Sequence, residues 1–390
     1  MRKSKLLSIL LSMTLVITTV LAGTGNIFAG SITSGTSAPT SIEVQDINKV
    51  TEDTTIRYTA KVTTGSDNTA IIPITVAKAG TIAIPMEGFE VGKGVTASIH
   101  STPAATNGDR IGGTKYISSS NMNGTLYVKV AKAGTYYLKF ETASYSAGTP
   151  QSVDFNVLLY PAGGTLTKGK IFRGSSPDGS DKVSYYKVTV PGNGYLTVSF
   201  LESDSSYPSY SIKLANSKKN FLFPNFEYIS SSKGYKTRIG VKKGTYYIAV
   251  KNSDKAYGMK VSYTSVKENS GTTKGKAKSI YKGNTKKGII NASQSSTSGD
   301  WYKFKITKSQ YVKFNIDVMG NSGGGSGGLK FSFYQAGKNY AAFTKNLYGD
   351  ASADIQLYTS GYGTKLAPGT YYIKVQKYSY GNGYYKIRWK

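Results

Sequence analysis

The stretch Lys132-Ala133-Gly134-Thr135-Tyr136-Tyr137-Leu138-Lys139-Phe140 returns as Lys243-Gly244-Thr245-Tyr246-Tyr247-Ile248-Ala249-Val250 and again as Pro368-Gly369-Thr370-Tyr371-Tyr372-Ile373-Lys374-Val375. In each copy a Gly suited to a tight turn precedes strict alternation. Side chains two residues apart share one side of a strand, so Tyr136, Leu138 and Phe140 and their counterparts form an apolar face. Tyr137, Lys139, Tyr247, Ala249, Tyr372 and Lys374 form the opposite one. The pattern predicts a half-buried β-strand in each copy. The copies lie 110 and 125 residues apart, a spacing that fits repeated domains and exceeds any solenoid period.

Around these copies the chain reads as short alternating strands. The first repeat shows Ala70–Val76, the turn at Ala79-Gly80, Thr81–Ile84, a polar turn at Asn107-Gly108-Asp109, and strands over Thr125–Ala131 and Val153–Val157. In the second, strands are expected over Tyr185–Val190, Tyr195–Leu201, Tyr210–Leu214, Lys236–Val241 and Tyr246–Val250. With 32 Tyr, 44 Gly and few segments of helical period, the chain is expected to be all-β. The predicted architecture is three tandem β-sandwich (jelly-roll-like) modules at 45–160, 165–265 and 268–390. Pro161-Ala162-Gly163-Gly164 is a short link between the first two, and Asn269–Gly275 is a candidate boundary before the third. The Gly-rich run Gly320–Gly328 reads as a mobile loop tip.

The N-terminus carries Arg2, Lys3 and Lys5, an apolar run from Leu6 to Leu21, and small residues ending at Ala29. That is the layout of a signal peptide, 1–29, followed by a Ser/Thr/Gly-rich flexible leader, 30–44. The expectation is a secreted, extracellular chain with no membrane span after cleavage. No Cys occurs, which removes disulfides, thiolate nucleophiles and a lipid attachment point.

Charge is unevenly spread. Residues 30–165 hold ten basic and ten acidic groups, whereas 166–390 hold 36 basic against 11 acidic. A Lys surface interleaved with Tyr suits a polyanion, or a glycan whose sugar faces stack on rings while its charges meet ammonium groups. The residues singled out for ligand binding are Tyr137, Lys139, Tyr247, Tyr372 and Lys374. Nucleic acid is not expected: Lys outnumbers Arg heavily and no groove-reading motif is present. The partners expected are an anionic cell-wall glycopolymer or an extracellular matrix polysaccharide.

An inventory of catalytic groups argues against an enzyme. His100 is the one His in the chain. Gly320-Asn321-Ser322-Gly323-Gly324 matches a nucleophile-type Gly-x-Ser-x-Gly, yet it lies in a Gly/Ser/Asn tract and not on the strand-to-helix turn that exposes such a serine. The third repeat holds the carboxylates Glu268, Asp300, Asp317, Asp350 and Asp354, in no order that singles out a glycosidase pair.

A Gly-Thr-Tyr-Tyr-Ile strand near the end of a module of this size resembles the bacterial pre-peptidase C-terminal domain. The third repeat carries most of the likeness: Glu268-Asn269-Ser270, Ala277, Gly288-Ile289-Ile290, Asp300-Trp301-Tyr302-Lys303-Phe304, Pro368–Ile373 and the closing Gly383–Ile387. The resemblance implies a β-sandwich that binds collagen or other insoluble substrates. It also implies a calcium site, for which Glu268, Asn269 and Asp300 match the family's pattern; Asp178 and Asp181 are the second repeat's nearest equivalents. The reading is a secreted, non-catalytic binding protein. The alternatives are a self-associating matrix protein and an accessory substrate-binding protein for a separate secreted peptidase.

Overall fold

The computed structural model describes residues 31–33, 41–51, 54–62, 68–90, 94–142, 151–176, 182–203, 210–230, 234–252, 256–357 and 365–390. The segment read as a signal peptide lies outside these residues, as do Asp178 and Asp181. The described part of 30–44 is not the flexible leader expected: Ser31–Thr33 and Ile42–Glu43 pair as strands, and Ile42 and Val44 are buried in the first core because their apolar side chains complete it. The described chain is strand throughout, apart from turns and the short 3-10 segments Asn107–Asp109 and Lys274–Lys276. Among the described residues no helix is long and apolar enough to cross a membrane.

Six sheets pair into three sandwiches. The first joins a five-stranded sheet to a larger one built on Gly80–Glu90, which pairs with Asn123–Val130, Gln151–Phe155 and Leu158–Pro161. In the second, Ser184–Val190, Gly244–Asn252, Tyr210–Ala215 and Glu227–Ile229 run side by side, opposite a sheet containing Tyr257–Ser265, Gly194–Ser203 and Lys236–Val241. The third repeats that plan with Asp300–Ile306, Gly369–Tyr378, Gly328–Gln335 and Phe343–Leu347 in one sheet. Thr285–Ile290, Asn382–Trp389, Val312–Asn321 and Ala351–Leu357 form the other.

Each Gly-Thr-Tyr-Tyr strand (Gly134–Thr142, Gly244–Asn252, Gly369–Tyr378) is the middle strand of a five-stranded sheet. Its opening Gly takes a φ of +157°, +156° and +156° in the three copies, a backbone setting that L side chains rarely adopt. The inward residues are buried as the alternation requires: Leu138 and Phe140, Ile248 and Val250, Ile373 and Val375. The leading Tyr of each copy is buried too, and its hydroxyl donates to the carbonyl four residues earlier, on Lys132, Lys242 and Ala367, at 3.0, 3.0 and 2.9 Å. Ring and hydroxyl are thereby both satisfied, which is what lets a Tyr occupy the rim of an apolar core.

The sandwiches are not loosely strung. Between the first and second, the Asn48 side chain pairs with the Arg173 backbone in both directions at 2.7 Å, and Ala83, Leu158, Tyr160 and Ala256 share a small apolar cluster. Between the second and third, Gly240 N–H donates to Asn382 Oδ1 at 2.9 Å and its carbonyl accepts from Ala292 N–H at 2.7 Å. A Cβ on Gly240 would stand 2.2 Å from the Ile290 carbonyl, so only Gly allows this approach. Arg238 pairs with Asp350, and the Tyr195 and Tyr384 rings meet at 5.6 Å.

The Gly-rich run corrects the sequence reading. It is docked at this junction and is not a mobile tip: Asn321 is buried and donates to Thr237 Oγ1 at 3.0 Å, while Ser322 Oγ and Gly324 N–H donate to the Glu227 carboxylate, the latter at 3.0 Å. Glycine here serves close approach of two backbones. A Cβ on Gly324, whose φ is +75°, would fall 2.1 Å from the Asn225 carbonyl.

Candidate functional site

Strand register places the outward residues of the second and third five-stranded sheets in matching rows. Tyr247 lies between Lys187 and Ala215, and Ala249 between Tyr185 and Lys213. Correspondingly, Tyr372 lies between Lys303 and Tyr334, and Lys374 between Trp301 and Ser332. Among the described residues, the outward positions of these strands hold no Asp or Glu.

The lysines are organised around rings. On the second sandwich, Lys213 Nζ sits 4.6 Å from the Phe221 centroid and 4.8 Å from Phe226, and Lys219 Nζ is 5.0 Å from Tyr185 and 5.4 Å from Tyr247. Lys219 holds a φ of +62°, a setting unusual for a side chain of its size. On the third, Lys274 Nζ is 5.2 Å from Tyr372 and 5.6 Å from Tyr334 and donates to the Lys338 carbonyl at 2.7 Å. Lys374 Nζ is 5.7 Å from Trp301 and donates to the Thr297 carbonyl at 2.9 Å. Partial burial, together with the neighbouring Lys330 charge, lowers the Lys374 pKa below its ordinary value. Attraction between ammonium and ring quadrupole fixes these flexible side chains in position.

The carboxylates of the third sandwich are drawn elsewhere. Asp317 and Asp354 lie on the four-stranded sheet, Asp350 is engaged by Arg238, and Glu268 and Asp300 form a pair beside the core. Carboxylates are thus absent from the described outward positions of the five-stranded sheet, whereas on the four-stranded sheet they are mixed with cations: Asp317 lies opposite Lys386 and Asp354 pairs with Lys390.

Of the residues singled out from sequence, Tyr247, Tyr372 and Lys374 belong to these lysine–aromatic faces. Tyr137 and Lys139 do not: their neighbours are Pro73 and His100, and Ile71 and Ser98, and Lys139 Nζ is neutralised by Glu141 at 3.0 Å. Trp301, Tyr334, Tyr185, Phe221, Phe226, Lys213, Lys219 and Lys274 were not singled out as ligand contacts. The alternation of each strand shows which residues face outward, but no local signal shows which outward residues become neighbours.

Glu268 and Asp300 do come together. Ser270 Oγ lies 3.2 Å from Glu268 Oε1 and 3.1 Å from Asp300 Oδ1, while Asn269 is exposed. Burial, then the neighbouring Glu268 carboxyl, pushes the Asp300 pKa up to about 8. A proton on this pair removes the repulsion that a cation would otherwise offset, and among the described residues no group of three or more His, Cys, Asp or Glu is assembled to hold a metal. In the second sandwich the register puts Ser184, opposite Val250, where Asp300 stands opposite Val375. Ser184 rather than Asp181 is therefore the positional counterpart, and Ala70, opposite Phe140, fills that place in the first.

His100 sits in a hydrogen-bonded chain with Ser98 and Asp109. Its Nε2 is 2.8 Å from Ser98 Oγ, and Nδ1 is 2.8 Å from Asp109 Oδ1 and 2.9 Å from the Thr106 carbonyl. Nδ1 faces only acceptors and so carries a proton. The order of groups is that of a Ser-His-Asp triad, but Ser98 and His100 are 6% and 2% exposed. A nucleophile must be reachable by its substrate. The chain of bonds instead fastens the turn Ser101–Asp109 to its strand, with Thr102 also donating to Asp109.

No family model matches this chain, and no curated protein matches it. Among solved structures it is similar to the pre-peptidase C-terminal domain of a collagenase from Bacillus anthracis, at 18% identity over 33% of this chain and 100% of that one, with a TM-score of 0.22. It is also similar to tandem CBM51 modules of a family 98 glycoside hydrolase from Streptococcus pneumoniae, at 10% identity over 60% of this chain and 85% of that one, with a TM-score of 0.16. TM-scores this low leave function to be argued from the chain's own residues.

Proposed function

We propose that this chain is a secreted, non-catalytic binding protein that attaches to anionic cell-wall or matrix polymers through its second and third sandwiches. The observation that carries the reading is a pair of outward faces whose lysines are held against rings, with no carboxylate among their described outward positions. Ammonium groups already held in place lose little side-chain entropy when an anion docks, and they make the face positive. The first sandwich, neutral in composition and with Lys139 paired to Glu141, lacks such a face. Calcium at Glu268, Asn269 and Asp300 is a subsidiary proposal. There it would meet two carboxylates and would have to displace the proton that Asp300 holds near neutrality.

The test is cosedimentation of the full chain with purified cell walls, with and without their teichoic acid. Substituting Lys213→Ala with Lys219→Ala, or Lys274→Ala with Lys374→Ala, should weaken binding, and wall stripped of teichoic acid should retain less protein. Binding indifferent to all four substitutions would remove the proposal.

A further inference from the structure

The two faces are not equivalent. On the second, the loop residue Phe221 stacks on Tyr185 at 6.4 Å with ring planes 15° apart, and Ala215 is the residue beside Tyr247. On the third, Tyr334 takes that place beside Tyr372, and Trp301 stands against Tyr334 at 5.4 Å with planes tilted by 36°. Three half-buried rings, Trp301, Tyr334 and Tyr372, therefore form an aromatic cradle on this face, with Lys274 over Tyr334 and Tyr372 and Lys374 over Trp301. Their ammonium groups stand 5.2–5.7 Å from the ring centroids, beyond the ~4 Å of van der Waals contact. Each therefore stands over a ring without being packed onto it, and is the group that an arriving anion would draw aside.

We infer that the Trp301–Tyr334–Tyr372 cradle takes a sugar unit of an anionic polysaccharide, the C–H face of the sugar stacking on the rings and its anionic group meeting Lys374 or Lys274. The inference rests on the reading of these faces as polyanion-binding and deepens it. A polymer of phosphate alone has charge but no apolar face, and a neutral glycan has the face but no charge. The cradle offers partners for both. Lys274 and Lys374 are held by the carbonyls of Lys338 and Thr297, so an arriving anion exchanges one acceptor for a charged one.

The chain supplies its own reporter, because its two tryptophans differ: Trp389 is buried with Phe304 and Phe314, and Trp301 is in the cradle. The full chain carrying Trp389→Phe is titrated with oligogalacturonate, with a neutral glucose oligosaccharide and with inorganic polyphosphate. Oligogalacturonate is expected to shift Trp301 emission and to lose about tenfold in affinity on Trp301→Ala, with Trp301→Phe retaining part of it. Polyphosphate is expected to bind without a shift and to ignore both substitutions. If oligogalacturonate binds without moving Trp301 emission and ignores Trp301→Ala, the cradle is overturned and the electrostatic faces stand. Equal binding of the neutral oligosaccharide overturns the required anion. If neither anion binds at low salt, the reading of the faces fails, and the cradle with it.

Discussion

Tyr385 donates a 2.5 Å hydrogen bond to Asp300 Oδ2, and the same hydroxyl stands 2.9 Å from that of Tyr302. In the second sandwich the buried pair is Tyr186, the counterpart of Tyr302, and Tyr257: their hydroxyls meet at 2.8 Å, and both face the Ser175 carbonyl, at 3.1 and 3.4 Å. The two sandwiches thus solve one problem, a buried pair of phenols, with a titrating acceptor in one and a backbone acceptor in the other.

The titrating acceptor makes stability depend on pH. Unfolded, the Asp300 carboxyl ionises near its ordinary value of about 3.8; folded, it is pushed up to about 8. Between these values the native state binds the extra proton, so stability falls as pH rises. Its contribution is fully present below about 4 and is lost as pH passes about 8. Urea unfolding of the full chain from pH 4 to 8 should show this decline, and Asp300→Asn should flatten it. An unchanged slope in the variant would contradict the assignment.

Calcium competes with that proton. Any stabilisation by calcium should therefore grow from pH 6 to pH 8.5 and vanish in Asp300→Asn. Melting temperatures at millimolar calcium, measured at both pH values, decide it: no shift at the higher pH excludes the ion from this pair.

Much of the fold was legible because sheets are written in a local code. Alternation over Tyr185–Val190 and Lys236–Val241 gave strands at Ser184–Val190 and Lys236–Val241. The junction was not legible. Glycine composition in Gly320–Gly328 reports backbone freedom, not what the freed backbone touches, and Glu227 lies about a hundred residues away in sequence. Likewise Tyr372 was found from its own strand, but Trp301 and Tyr334 reach it only through register with two separate strands.

The docked run yields a prediction of its own. Gly324→Ala places a Cβ against the Asn225 carbonyl at a positive φ, and should destabilise the third sandwich by about 1–3 kcal/mol. Glu227→Gln keeps the shape and weakens the bonds from Ser322 and Gly324, so its effect should be smaller. Limited proteolysis near Gly320–Gly328 should accelerate in both variants. A truly mobile run would be cut as fast in the parent chain.

Fastening by His100 is equally checkable. Asp109→Asn removes the charged acceptor that faces Nδ1 and should lower stability in urea unfolding. A fluorophosphonate probe should leave Ser98 unlabelled in the folded chain, since its hydroxyl is covered. Labelling at Ser98 would reopen a catalytic reading of the Ser98–His100–Asp109 chain.

Salt separates the two kinds of contact on the outward faces. Charges on exposed lysines act over roughly 8 Å at physiological ionic strength and about 3 Å at 1 M. Wall binding through Lys213 and Lys219 should therefore disappear in high salt. Binding through the third sandwich should leave a residue that Trp301→Ala removes, because ring stacking is indifferent to screening. Neutralising first-sandwich cations such as Lys61 and Lys129 should change little at any salt concentration. Cosedimentation of these full-length variants at low and high salt gives the comparison. Equal losses from first-sandwich and third-sandwich substitutions would mean that net charge, rather than the ring-fixed lysines, governs attachment.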